Sequence, residues 1–411
     1  MKVRVTDRKM HTYWKSPEYD IRGFLIVEKA SEKSERSEKM TAEDYMRIAI
    51  EEAKKGAGFT NPNPLVGAVL VKDGKVIGKD YHHRCGEFHA ERNAILNCKE
   101  DLHGAAIYVT LEPCCHYGKT PPCTQIIIDS GITEVYIGSY DPNPKVNGGG
   151  IKQLEDAGIK VYTEVLKEEC DGLNPVFFHY IETKEPYVVL KYAMTADGKI
   201  ATYTGASKWI TGEAARARVQ QSRKIYSGIM VGIGTVLADN PLLTCRLENA
   251  LNPTRIICDS RLRIPLDSNI VKTAKEVPTI IATAKIEREE QQIEKRKLLC
   301  QAGCEVLELP SDEKGLDLKE LMKQLGEKGI DSILLEGGSQ LNFSALQAGI
   351  VTKVESYIAP KIFGGAEAKT PVGGKGVELP QEAYRLKNPK ITQIEEDILI
   401  EWEVGRCSPE L

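Results

Sequence analysis

Apolar positions along this chain recur in two rhythms, one helical and one alternating, and the changes of rhythm mark its elements. A Thr41-x-x-Asp44 capping pattern precedes Tyr45, Met46, Ala49, Ile50 and Ala53 at helical spacing, and Gly56 and Gly58 close that helix. Val66–Val71, an Asp73-Gly74 turn and Val76–Gly78 read as a hairpin. His89–Cys98 then has a helical pattern, Ile107–Leu111 that of a strand and Cys123–Asp129 that of a helix. Thr133–Gly138 (strand), Gly150–Ala157 (helix) and Lys160–Val165 (strand) continue the alternation. A helix over 167–182 leads to Glu185-Pro186, where the first layered unit is expected to end.

The second half alternates again. Strands are predicted at Tyr187–Tyr192, Gly228–Val231, Thr254–Cys258, Thr279–Ala282, Glu305–Leu307, Ser332–Leu335, Lys353–Ile358 and Ile398–Glu403. Helices are predicted over 212–225, 288–301, 317–328 and 340–348. Apolar strands alternating with helices imply a mostly parallel, twisted sheet covered on both faces. No repeat relates the two halves.

The first 39 residues have no such rhythm. Seventeen of the first 40 residues are charged, so a disordered extension is expected over 1–39, with the fold beginning at Met40. One reading makes Met40 the start codon and residues 1–39 a translated leader. Glu35-Arg36-Ser37 would then be encoded by a purine-rich ribosome-binding sequence.

A length of 411 residues asks for two or three domains, expected here at 40–185 and 186–405. The net charge of −4 provides no electropositive field for nucleic acid. No run approaches the roughly 20 apolar residues of a membrane span, and the N-terminus lacks a secretory apolar core. A cytoplasmic protein is expected.

Histidine and cysteine divide the halves chemically. All 7 His fall within the first 179 residues, and five of the 11 Cys (85, 98, 114, 115 and 123) cluster together. The second half has no histidine as base or ligand. In the first half His89-Ala90-Glu91 is followed by Pro113-Cys114 and then Cys123. Three soft or borderline ligands suit a catalytic zinc, which keeps its fourth position for water. His89 and Cys114 are each expected to open a helix, where unpaired backbone N–H groups favour a thiolate. Glu91 stands close enough to exchange protons beside the metal without ligating it. Zinc lowers the pKa of its water toward about 7, and the resulting nucleophile would attack an amidine-like ring carbon. A structural zinc knuckle would normally supply four protein ligands in close pairs, so the catalytic reading is preferred. Cys115 could compete as a fourth thiol, but neighbouring residues rarely reach one ion. Cys85, Cys98 and the Cys300/Cys304 pair read as plain thiols.

The eight-residue insert between Cys114 and Cys123 replaces the usual Cys-x-x-Cys and adds His116 and Lys119, which suit a substrate phosphate. With Asn63-Pro64-Leu65-Val66-Gly67 and Asp141-Pro142-Asn143-Pro144, this segment resembles the deaminase half of the bifunctional riboflavin-biosynthesis proteins of the RibD family. The likeness covers Met40 to the C-terminus. It implies that Asn63, His82, His116 and Lys119 contact substrate; the lesser alternative for His82 is an ordinary surface histidine beside His83.

In the second half the family's pattern is carried by Ala196-Asp197-Gly198-Lys199, Gly205-Ala206-Ser207-Lys208-Trp209, Gly232-Ile233-Gly234-Thr235 and Leu335-Glu336-Gly337-Gly338-Ser339. Taken alone, the Gly337-Gly338 turn into a helix is either a phosphate cradle or a tight turn. The resemblance implies a cytidine-deaminase-like three-layer domain followed by a dihydrofolate-reductase-like domain with a mostly parallel sheet. It further implies NADPH against Ala193, Trp209, Thr235, Asp239, Ser260, Gly338, Ser339, Gln340, Leu341, Asn342, Phe343 and Ser344. The ribose-phosphate substrate would meet Lys191, Ser207, Arg223, Leu243, Arg246 and Glu336. Trp209 either stacks on a nucleotide or fills the core. Arg223 and Arg246 are either phosphate forks or surface charge, and either Lys191 or a water held by Glu336 delivers a proton.

The implied activity has two steps. A zinc-dependent hydrolysis deaminates a phosphoribosylated diaminopyrimidine, and an NADPH-dependent step then reduces its ribosyl group to ribityl. The alternative is a zinc nucleoside or tRNA deaminase with a non-catalytic C-terminal domain. Partners are expected to be phosphorylated pyrimidines, not nucleic acid or membrane. A homo-oligomer fits such an enzyme, and its order is not legible in the sequence.

Overall fold

The computed structural model describes residues 40–118, 121–286, 290–313 and 315–405. The extension expected over 1–39 lies outside them, as does Lys119.

Residues 40–183 form a three-layer sandwich around a five-stranded sheet in the order β2-β1-β3-β4-β5. Its strands are β1 (Gly67–Lys72), β2 (Lys75–Tyr81), β3 (Ala106–Leu111), β4 (Glu134–Ser139) and β5 (Lys160–Tyr162). The first three are antiparallel neighbours, and β3, β4 and β5 run parallel. The helices are α1 (Ala42–Lys54), α2 (Ala90–Asn97), α3 (Cys123–Asp129), α4 (Gly149–Asp156), α5 (Lys167–Asp171) and α6 (Pro175–Thr183). Thr41 caps α1 in the expected reciprocal box with Asp44.

Strand alternation sorts the core. Val69, Val71 and Tyr108 pack with Tyr45, Met46 and Ile50 of α1, while Ala68, Leu70, Ile107 and Val109 pack with Ala94, Ile127, Leu154 and Phe177 on the other face. The helix expected over 167–182 is two helices. It breaks at Gly172–Asn174, because Pro175 cannot donate a helical hydrogen bond and starts α6 instead.

From Tyr187 onward a nine-stranded sheet forms, in the order β10-β9-β8-β7-β13-β6-β14-β16-β15. The strands are β6 (Tyr187–Thr195), β7 (Gly228–Gly232), β8 (Thr254–Cys258), β9 (Thr279–Ala284), β10 (Glu305–Leu309), β13 (Ser332–Leu335), β14 (Val351–Ala359), β15 (Leu386–Ile394) and β16 (Asp397–Val404). A small ladder of β11 (Ser311–Asp312) and β12 (Gly315–Leu316) stands apart. Every neighbouring pair from β10 to β14 is parallel, and β16 and β15 add an antiparallel edge. The helices are α7 (Glu213–Ile225), α8 (Ile233–Asp239), α9 (Asn269–Lys272), α10 (Glu290–Gln301), α11 (Leu318–Glu327) and α12 (Ser339–Ala348).

Ile229, Val231, Ile257 and Ile281 face α9 and α10, and Met230, Ile256, Ile333 and Leu335 face α11 and α12. Fully burying each such side chain contributes about 1.5–3 kcal/mol. The sheet is therefore mostly parallel and covered on both faces, as the pattern predicts. β15, α8 and α9 lie beyond that pattern. Among the described residues no helix is long and apolar enough to cross a membrane.

Candidate active sites

The thiol-rich segment converges on one point. His89 is the extended N-cap of α2, and Cys123 is the first residue of α3, preceded by Pro122. Cys114, expected to open a helix, lies instead in irregular chain after β3. The helical N–H that reaches its sulfur, at 3.4 Å, belongs to Cys123. His89 Nδ1 stands 3.5 Å from Cys114 Sγ and 3.4 Å from Cys123 Sγ, and the three ligand atoms lie within 4.8 Å of one another. Tetrahedral zinc, with nitrogen at about 2.0–2.1 Å and sulfur at about 2.3 Å, sets N and S roughly 3.5 Å apart. These residues fit that ion.

Cys115 turns away from this triangle, its sulfur 3.6 Å from the Lys145 carbonyl oxygen. Cys123 and His89 beside it hold the Cys114 thiol well below its usual range, and the same pairing raises that of Cys123.

Glu91 sits in the first turn of α2, 3% exposed. Burial pushes its carboxyl up to about 7, and Oε2 has no hydrogen-bond partner in the protein. It faces a cavity of about 350 Å³ shared with Asn63, His82, His116, Asp141 and Phe177. His82 is not a surface residue. It is 2% exposed, its Nδ1–H donates to the Phe88 carbonyl at 3.0 Å, and its Nε2 accepts from Asn63 Nδ2 at 3.1 Å. Burial lowers its pKa, consistent with this neutral tautomer. His116 Nδ1 is buried without a partner at the cavity wall.

Five residues around the cavity carry no role in the sequence reading. Glu112, beside the Pro113-Cys114 pair, accepts the Gly148, Gly150 and Ile151 N–H groups and pins the start of α4 to the cavity. Asp141 lines the cavity, and burial raises its carboxyl to about 6. Phe177, Tyr180 and Ile181 of α6 complete the wall; their spacing of three and four residues is the signal that places them on one helical face.

In the second half Arg223 and Glu336 meet. Arg223 Nε and Nη2 each donate to a Glu336 carboxylate oxygen at 2.7 Å, and Nη1 donates to the Thr244 carbonyl at 2.9 Å. Arg223 is thus no surface charge. Burial alone would raise the Glu336 carboxyl, but Arg223 and then Lys191 and Arg246 outweigh it and hold it below the usual carboxylate range. Lys191 lies over the Tyr357 ring at 5.6 Å, and burial lowers its pKa. Leu243 is buried at a left-handed φ of +53°, between Leu242 and Thr244, whose carbonyls accept from Arg255 and Arg223.

The strand ends of β7 and β13 carry the second cradle. Gly337 and Gly338 both have positive φ, and a Cβ on Gly338 would stand 3.4 Å from Thr235 Oγ1. A Cβ on Gly234 would meet open space. The Gly337-Gly338 turn thus packs closely on Asn342 and Thr235, and the room for a nucleotide lies beside Gly234 at the start of α8.

Not all of the 338–344 segment faces that cradle. Asn342 and Phe343 are buried; Asn342 donates to the Pro371 carbonyl, and Ser344 lines a separate cavity with Pro310, Leu316 and Asp317. Gln340 is exposed and Leu341 half-buried on the same helix. Ser339 is taken by the Thr370 carbonyl. Trp209 is 59% exposed with Arg216 4.7 Å above its ring, so it does not fill the core. Asp239 ends α8 exposed, Ser260 follows β8, Ala193 packs near Tyr357, and Ser207 sits half-buried before Trp209. Arg246 is exposed, its N–H held by Gln220.

Comparison with known proteins covers both halves of the chain. Residues 39–139 match the cytidine and deoxycytidylate deaminase zinc-binding region, and residues 186–400 match the RibD C-terminal domain. The chain is 59% identical to the riboflavin biosynthesis protein RibD of Actinobacillus pleuropneumoniae, over 89% of this chain and 96% of that protein. A crystal structure of a diaminohydroxyphosphoribosylaminopyrimidine deaminase/5-amino-6-(5-phosphoribosylamino)uracil reductase from Thermotoga maritima is similar at 39% identity. Its TM-score is 0.76, covering 89% of this chain and 99% of that one. Acinetobacter baumannii RibD aligns with TM-score 0.79 at 35% identity, covering the same shares of the two chains. With a zinc-ligand triangle in one half, a RibD C-terminal domain in the other and this likeness across both, the chain belongs to the RibD family of riboflavin biosynthesis proteins.

Proposed function

We propose that residues 40–185 form a zinc deaminase domain acting on 2,5-diamino-6-(5-phosphoribosylamino)pyrimidin-4-one. Residues 186–405 form a reductase domain that uses NADPH to convert the ribosyl group of 5-amino-6-(5-phosphoribosylamino)uracil to ribityl. The observation that carries this reading is the pairing, in one chain, of the His89–Cys114–Cys123 triangle beside buried Glu91 with the Lys191–Glu336–Arg223 cluster.

Zinc on His89, Cys114 and Cys123, when bound, acidifies a water. Glu91 takes a proton from the attacking water and passes it to the departing amine. Its burial at the cavity wall and its unpartnered Oε2 leave it free for both transfers. Asn63 and His82 orient the pyrimidine, with the His82 tautomer fixed by Phe88. His116, through its unpartnered Nδ1, and Lys119 receive the phosphate side.

In the reductase, NADPH supplies the hydride when bound against Thr235 and the Gly337-Gly338 turn. Trp209, Asp239, Ser260 and the exposed part of α12 border that cofactor. Ser207, Leu243 and Arg246 hold the ribose phosphate, and Glu336, fixed by Arg223, orients the sugar. Lys191 or a water on Glu336 gives the proton. Both substrates are small phosphorylated pyrimidines, and the cytoplasm is where such intermediates meet NADPH.

The test is a dual assay on the diaminopyrimidine phosphate, following ammonia and NADPH separately. Glu91→Ala should stop ammonia release while zinc stays bound. Ammonia release that survives this change overturns the assignment.

A further inference from the structure

The segment that bears Asn63 is clamped from the other half of the chain. Asn61 Nδ2 donates at 2.8 Å to Oδ2 of Asp331, which directly precedes β13 and is 270 residues away in sequence. Asp331 is 1% exposed, and its Oδ1 accepts from the hydroxyls of Ser227 (2.6 Å) and Ser332 (2.7 Å). The carboxylate is therefore fixed by the reductase half before it meets Asn61.

The approach is close along the whole segment. Gly58 has a φ of +85°, and a Cβ there would stand 2.4 Å from the Lys224 carbonyl oxygen, so only glycine lets the two backbones come together. The next residue, Phe59, has Lys224 Nζ 5.0 Å from its ring. Asn63 N–H returns to the Thr60 carbonyl at 2.7 Å, which makes 60–63 one tight turn. The far end is held within the first half, where Leu65 N–H and C=O both bond the Asn174 side chain. Asn63 and Phe177 line both the Glu91 cavity and a small cavity that includes Asn61, Ile225 and Asp331. They form the wall between the interlobe contact and the pyrimidine site.

We infer that Asp331 is a positioning residue for deamination: by holding Asn61 it sets the Asn63–His82 pair that orients the pyrimidine, so the reductase half completes the deaminase pocket. A carboxylate suits this task because its two oxygens serve different masters, one the reductase strand and one the deaminase turn. Neutral donors surround it, so its negative charge strengthens all three bonds. This inference rests on the deaminase function proposed above and assigns the second half a role in it.

The experiment uses the full chain with zinc bound. Asn61→Asp sets two carboxylates against each other. It should raise the KM for the diaminopyrimidine phosphate and lower kcat/KM for ammonia release at least about tenfold. Zinc content, and NADPH oxidation with the deaminated substrate, should stay within about twofold of wild type. Adding Asp331→Asn restores the geometry with roles exchanged: its Oδ1 still accepts from both serines, and its Nδ2 donates to the new carboxylate. The double variant should recover kcat/KM to within about threefold. A purely structural role would lower the folded fraction and kcat without raising KM.

Asn61→Ala, which introduces no repulsion, serves if the charged variant does not fold; a wild-type KM in it overturns the inference. Failure of the double variant to recover overturns it as well. A wild-type chain that binds zinc but releases no ammonia overturns the proposed deaminase function, and this inference with it.

Discussion

Arg223 and Glu336, 113 residues apart, close a bidentate ion pair in which each side chain is only 12% exposed. Such a pair is expensive to break from one side, because the surviving charge stays buried; the cost is about 3–5 kcal/mol. Glu336→Gln should therefore lower the melting temperature and abolish NADPH oxidation while ammonia release persists. The pH dependence has a definite sign. The Glu336 carboxyl is held below its ordinary value, so between the two values the unfolded chain binds more protons. The pair's stabilisation is fully present above the ordinary glutamate value and lost as pH falls through the folded one. In acid, wild-type stability should fall more steeply than that of Glu336→Gln, read by thermal melts across pH.

Lys191 supplies a second pH signature. Its buried ammonium loses its proton below the ordinary lysine value, so an alkaline limb of reductase kcat/KM should lie below pH 10.5. Lys191→Arg, whose guanidinium gives up no proton at any accessible pH, should lose NADPH oxidation, and the limb with it, while cofactor affinity is retained. A limb in the same place in both proteins would assign the titration to another group.

Asn63 donates to a buried histidine nitrogen, and the loss of that donor leaves the nitrogen unsatisfied. Asn63→Ala should cost about 1–3 kcal/mol in transition-state stabilisation, or roughly 5- to 150-fold in kcat/KM for ammonia release. Zinc content should not change. Steady-state kinetics with metal analysis checks both.

The two thiols that adjoin in sequence should behave oppositely. Cys115 points to the Lys145 carbonyl, so Cys115→Ser should bind one zinc per chain and release ammonia as wild type does. Cys114→Ser removes a ligand and should lose both. Chelation of wild type should likewise stop ammonia release and spare NADPH oxidation with the deaminated substrate.

Local signals carried most of the fold and the metal site, and distant pairings carried the rest. The helix predicted over Cys123–Asp129 is α3, with the same bounds, because its apolar period is local. Cys114 does not open the helix expected of it; the helix end that reaches its sulfur is α3's, nine residues on. β15 was missed since almost all its residues are exposed, with Ile391 68% so, and Pro389 interrupts the pattern; pairing with β16 makes it a strand. The buried state of His82 and the partners of Arg223 and Asp331 depend on contacts across 19, 113 and 270 residues, which no local period encodes.

The most direct measurement of the central claim is a time course of ammonia and NADPH from one reaction on the diaminopyrimidine phosphate, in wild type and Glu91→Ala. In wild type, ammonia should precede NADPH oxidation and match it mole for mole. In Glu91→Ala both should stop, and deaminated substrate should restore NADPH oxidation alone. NADPH consumed ahead of ammonia in wild type, or undiminished on the diamino substrate in the variant, would contradict the account.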